Sequence, residues 1–149
     1  MDRKRIQKLL ELRQKELDKK VQALSLARAA VDAAERAVQT ASEGLRLAAL
    51  ERVRINRAGA DWQMWVTTQD WMSQQAQHFA HTQQLKAHSD RLCERALGQV
   101  HKARSDVLRI EALLVRIDAE IRAKAVRTER RTEDEFQANR SGARQVAGR

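Results

Sequence analysis

A seven-residue spacing of apolar side chains dominates this chain. Leu10, Leu17, Leu24, Val31, Val38 and Leu45 stand seven apart, and alanine takes the companion position three residues later at Ala27, Ala34, Ala41 and Ala48. A second series, Ala96, Val100, Ala103, Val107, Ile110, Leu114, Ile117 and Ile121, advances by alternating steps of four and three. Such spacing paints one narrow stripe along a helix, and a stripe of that width is buried only against another helix. Ordinary usage of about 5% would place roughly seven prolines in a chain this long. There are none, so nothing forces a long helix to break. The expected fold class is therefore all-α, with long helices paired as a coiled coil.

The best punctuation is Arg57-Ala58-Gly59-Ala60-Asp61-Trp62. Gly59 can take the left-handed conformation that ends a helix, and the carboxylate of Asp61 can cap the next one. The chain is read as a single antiparallel coiled-coil hairpin over residues 1–140, with helix 1 at about 5–57, a turn at about 58–61 and helix 2 at about 62–139. Residues 141–149 are small, polar and unpatterned, and are expected to form a flexible tail. The competing reading is one unbroken helix needing a dimer partner throughout. In a hairpin turning near Gly59, residues whose numbers add to about 119 face each other. Leu45 then lies near Gln74 and Leu10 near Arg109, and residues beyond about 115 lack an intrachain partner. The repeat is weak between Gln63 and Gln84, where glutamine, threonine and histidine crowd the sequence.

The net charge is +9, and its placement matters more than its size. Residues 1–20 carry eight Lys/Arg against four Asp/Glu, and residues 122–149 carry eight against four again. A hairpin would gather both ends into one basic pole able to attract acidic protein, nucleic acid or anionic lipid. The interspersed acids Glu11, Glu16, Asp18, Glu129, Glu133, Asp134 and Glu135 argue against nucleic acid. Cys93 is the one cysteine, so no intrachain disulfide can form. Gln7, Lys8 and Glu11 interrupt any apolar leader, and no stretch suggests a membrane span, so a cytoplasmic protein is expected.

All three tryptophans, Trp62, Trp65 and Trp71, follow the turn with Met64 and Met72 among them. They read either as a docking knob at the apex or as packing against Leu50, Val53 and Ile55 to close the hairpin. His78 and His81 are three apart, but no third ligand accompanies them and no metal or other cofactor is expected. Phe136 stands alone in a polar run as a contact residue or a staple on its own helix. No phosphate loop, nucleophile elbow or paired buried carboxylate is present, and the chain is not expected to be an enzyme.

With its start Arg5-Ile6-Gln7-Lys8-Leu9-Leu10-Glu11-Leu12-Arg13 and the stretch Asp134-Glu135-Phe136, the chain resembles the central stalk family of type III export. That family has a flagellar, FliJ-like branch and an injectisome, SctO (YscO)-like branch. The resemblance implies an antiparallel coiled coil that enters the pore of the hexameric export ATPase and reaches the cytoplasmic domain of the export gate, a membrane protein. It also implies involvement with export chaperones and a place at the inner membrane without insertion into it. On this reading the ATPase contact falls at the basic pole, on Arg3, Arg5, Lys8, Ile117, Ile121, Arg122, Arg127, Arg130, Arg131 and Phe136. The gate contact falls on Trp62, Trp65 and Trp71. Two other classes stay open: a homodimeric structural tether, and a nucleic-acid or ribosome binder acting through the basic pole.

Overall fold

The computed structural model describes residues 2–59 and 61–148. It is all-α: α1 spans Arg3–Ala58 and α2 spans Trp62–Ala147, with no strand among the described residues. Asp2 caps α1, its side-chain Oδ1 accepting from the Lys4 amide at 3.1 Å. At the corner Gly59 has a φ of 66°, and Asp61 Oδ1 accepts from the Met64 amide at 2.8 Å. The carboxylate thus takes one of the amides that the first turn of a helix leaves without a partner. Ala60, part of the expected turn, lies outside the described residues, as does Arg149 in the expected tail.

α2 continues to Ala147, past the end near residue 139 expected from composition. Ser141 and Gly142 are poor helix formers, but neither blocks the backbone ladder as a proline would. The segment lacks a stop signal until Gly148, whose amide still donates to the Arg144 carbonyl at 3.1 Å.

The contacts divide the chain into two compact units. One comprises Glu16–Ala103 and holds the turn. Its seam takes every third or fourth residue of both helices, save between Leu17 and Leu24, where Lys20 and Val21 are exposed: Leu17, Leu24, Ala27, Val31, Ala34, Val38, Ala41, Leu45, Ala48, Arg52 and Ile55 from α1 are all buried or half-buried. From α2 come Trp65, Thr68, Met72, Gln75, Phe79, Thr82, Lys86, Ser89, Cys93, Ala96, Val100 and Ala103, also buried or half-buried. The heptad of α2 is therefore unbroken through the stretch whose composition hides it. Thr68 and Thr82 are buried at seam positions. Each turns its hydroxyl to its own helix, donating to the Met64 and Phe79 carbonyls at 2.8 Å. A methyl is left for the seam and no polar group is stranded. The helices run antiparallel: Lys20 donates to Gln99 at 3.2 Å, and Gly44 sits against Gln75.

The other unit comprises Met1–Lys15 and Arg104–Arg149. Its core is Ile6 and Leu10 of α1 against Val107 and Leu114 of α2, all buried. Ile110 and Ile117 are half-buried beside them.

Candidate interaction sites

The first candidate site lies wholly in the unit that holds the termini. Arg3 donates from Nε to Asp118 Oδ1 at 2.6 Å, closing the paired part of that unit. The bond raises the Arg3 guanidinium above its ordinary value. It holds the Asp118 carboxyl below the usual range, helped by the charges of Arg3 and Arg122. Arg3, though exposed, is therefore engaged with the other helix; Arg5 is exposed with Asp2 of its own helix start 4.0 Å away, and Lys8 is exposed. Ile117, expected beyond the paired region, is half-buried inside it. Ile121, at 50% exposure, is the first large apolar residue past the clasp.

From 121 to 148 every residue is exposed. The paired stripe stops at Ile121 because the next seam positions are Lys124, Thr128, Arg131 and Glu135. A different line takes over. Residues 121, 125, 128, 132, 136, 139, 143 and 146 read Ile, Ala, Thr, Thr, Phe, Asn, Ala and Val, without a charge among them. Steps of three and four averaging close to 3.6 keep this line straight along the helix. Thr128 and Thr132 donate their hydroxyls to the Lys124 and Thr128 carbonyls at 2.9 and 2.8 Å, so the line is lined by methyl groups. A shallow groove formed by Ala125, Thr128, Glu129, Thr132 and Glu133 follows it. At 100° per residue, Lys124, Arg127 and Arg131 fall along one edge of the line together with Glu135, and Glu129 and Glu133 along the other together with Arg122 and Arg140. Arg130 lies on the back. The cationic candidates Arg122, Arg127, Arg130 and Arg131 thus do not share one face. Phe136, at 66% exposure, belongs to the uncharged line. Sequence reasoning missed the line because it does not follow the seam's heptad. The signal was the absence of charge at those eight positions.

The second candidate site lies in the unit that holds the turn. Trp62 is 75% exposed and stacks on Trp65, with ring centroids 5.2 Å apart. Trp65 is half-buried at a seam position. Trp71 is exposed and lines a groove with Leu47, Glu51, Thr67 and Thr68. The tryptophans thus divide their tasks: Trp65 closes the hairpin, while Trp62 and Trp71 face outward. Of the proposed packing partners Ile55 is buried, but Leu50 and Val53 are exposed. Arg52 reaches across to the Met72 sulfur at 3.7 Å.

His78, His81, His88 and His101 are exposed. Among the described residues no three His, Cys, Asp or Glu side chains gather as metal ligands would. No helix is long and apolar enough to cross a membrane among the residues described.

Compared with known proteins, residues 2–145 match the family described as Flagellar FliJ protein. No curated protein matches the chain. No solved structure matches it either.

Proposed function

The chain belongs to the flagellar FliJ family, and on that premise we propose that it is the central stalk of the flagellar export apparatus. It enters the pore of the hexameric export ATPase, promotes that enzyme's activity and links it to the cytoplasmic domain of the export gate. It works at the cytoplasmic face of the inner membrane, without catalysing a reaction itself, and in association with export chaperones. The match to the flagellar description favours that branch over the injectisome.

One observation carries the assignment of the ATPase contact: the exposed stretch of α2 beyond Asp118, with its uncharged line flanked on both sides by charges of both signs. A ring pore presents several similar surfaces in turn, and its occupant must release each. Mixed charges along both edges and a line of small and apolar side chains give many weak contacts in place of one deep hydrophobic lock. Ile121 and Phe136 supply the apolar contacts, Arg127 and Arg131 the nearest charges, and Arg5, Lys8, Arg122 and Arg130 the outer field. Arg3 serves by clasping Asp118. Trp62 and Trp71 are the exposed aromatic residues available to the gate, with Trp65 supporting them.

The test is ATP hydrolysis by the cognate hexamer. The wild-type chain is expected to stimulate turnover. Arg127→Glu with Arg131→Glu, and separately Ile121→Asp with Phe136→Asp, are expected to abolish stimulation while far-UV circular dichroism is unchanged. Full stimulation by both double variants would overturn the placement. No stimulation by wild type would overturn the stalk reading itself.

A further inference from the structure

The unit Glu16–Ala103 has two flanks, one on each side of its seam, and they differ in charge. Taking Leu24 and Cys93 as a positions, the g and c positions of both helices lie on one flank and the e and b positions on the other. The groove formed by Leu47, Glu51, Thr67 and Trp71, all g or c positions, fits that geometry. Over residues 23–47 and 71–92 the g and c flank carries no Lys, Arg, Asp or Glu at all. The opposite flank over the same span carries Arg28, Asp32, Glu35, Arg46 and Asp90. Lys86, a seam residue, directs its ammonium to Asp90 at 3.2 Å, on the charged side.

Apart from Thr40, Gln74, His78, His81 and His88, the charge-free flank is apolar. Leu26 is 74% exposed, Leu47 and Leu85 are each 49%, and Leu92 is 44%. A surface helix ordinarily places charged residues at such positions, and contiguous exposed apolar area of this kind marks an interface. Its two halves differ in relief. α1 contributes Ala30, Ala33 and Ala37, which form a trough, and α2 contributes His78, His81 and Leu85, which form a ridge. A two-fold axis parallel to the helices lays the α2 ridge of one copy over the α1 trough of another, and the reverse. Such an isologous match needs no charge pairing.

We propose that this flank is a self-association surface, on which a second copy of the chain docks side by side to form a four-helix layer. The area suffices. Twenty-four rises of 1.5 Å give about 36 Å of length. Two helices 8–10 Å apart present a face about 18 Å wide, so about 650 Å² per copy and about 1,300 Å² in total. That falls within the range of specific interfaces, toward its lower end. With no charged group to desolvate, but with His78 and His81 to cover, it corresponds to an association of about 1–100 μM. An acidic or basic partner finds nothing on this flank to select it, whereas an identical flank fits it in shape.

Sedimentation equilibrium of the full-length chain from 1 to 300 μM tests the inference, with helicity followed by circular dichroism. Wild type is expected to pass from one chain to two across this range. Leu85→Glu and Leu26→Glu, both at exposed positions, are expected to weaken association at least tenfold without loss of helicity. Ala80→Glu, on the opposite flank, is expected to leave it unchanged. In a Cys93→Ser background, a chain with Ala33→Cys is expected to form a disulfide with a chain carrying Leu85→Cys, and little with itself. A chain that stays monomeric throughout, or a dimer indifferent to Leu85→Glu and Leu26→Glu, overturns the proposal. A monomer would assign the flank to a different protein. Neither result bears on ATPase stimulation, which rests on the other unit.

Discussion

Gly44→Ala sets two opposing effects against each other at a single seam-edge position. Glycine in a helix interior costs about 0.8–1 kcal/mol relative to alanine, so relieving that cost favours the variant. Against it, a Cβ added at Gly44 would lie 2.6 Å from Gln75 Oε1 and 3.6 Å from its Cδ. Only the oxygen is in conflict, and it sits at the far end of a flexible side chain. The terminal amide torsion of glutamine is broad, so moving that oxygen by about 1 Å costs no more than about 0.5 kcal/mol. The net expectation is a stabilisation of about 0.5 kcal/mol, or a Tm rise of about 1–2 °C for a chain of this size. In a Gln75→Ala background the gain is expected to reach about 1 kcal/mol, leaving a coupling of about 0.5 kcal/mol between the two sites. Urea unfolding of the four chains, followed by circular dichroism at 1 μM to limit association, measures all of these. A destabilisation above about 1 kcal/mol that persists when Gln75 is alanine would refute the reasoning. The glycine would then be required by the approach of the backbones, not displaced by an amide.

Ala48 is fully buried, so Ala48→Leu is expected to cost about 1–3 kcal/mol by overpacking, read as a lower urea midpoint. Thr82→Val removes a hydroxyl already satisfied within its own helix and is expected to be neutral or stabilising, within about 1 kcal/mol in the same assay. Asp118 is held below its ordinary value by Arg3. Its contribution is therefore complete above the unfolded carboxylate pKa of about 3.9. It fades as pH falls through the lower folded value. Hydrogen exchange at the start of α1 should accelerate over that acid range, and Asp118→Asn should reproduce the effect at neutral pH.

The helical pairing was legible in the sequence because α1 writes its seam in leucine, valine and alanine. The same seam in α2 was faint between residues 63 and 89. There it is written in Thr68, Gln75, Thr82, Lys86 and Ser89, which a hydrophobic pattern does not register. What makes threonine acceptable there is a local bond from hydroxyl to carbonyl, invisible to periodicity. The division of labour among the tryptophans was likewise beyond the sequence. Their sequence left docking and hairpin closure both open; the stacking of Trp62 on Trp65 and the position of the seam assign Trp65 inward. The cationic candidates were chosen by type, without asking which side of the helix each occupies. That is why Arg130 came to be grouped with Arg127. α2 runs past the expected end near residue 139 because a small, polar, unpatterned stretch need not end a helix when no proline interrupts it.

Thr68 and Thr82 have a consequence for how the hairpin moves. Each hydroxyl is served by a carbonyl of its own helix, so drawing the helices apart at either layer leaves both donors satisfied. The corner itself is pinned differently: Ile55 is buried, Trp65 and Met72 are half-buried in the seam, and Arg52 reaches Met72 from the other helix. Loosening the hairpin at Thr82 therefore costs little in polar terms, whereas opening it beside Gly59 gives up large side chains and a bond between the helices.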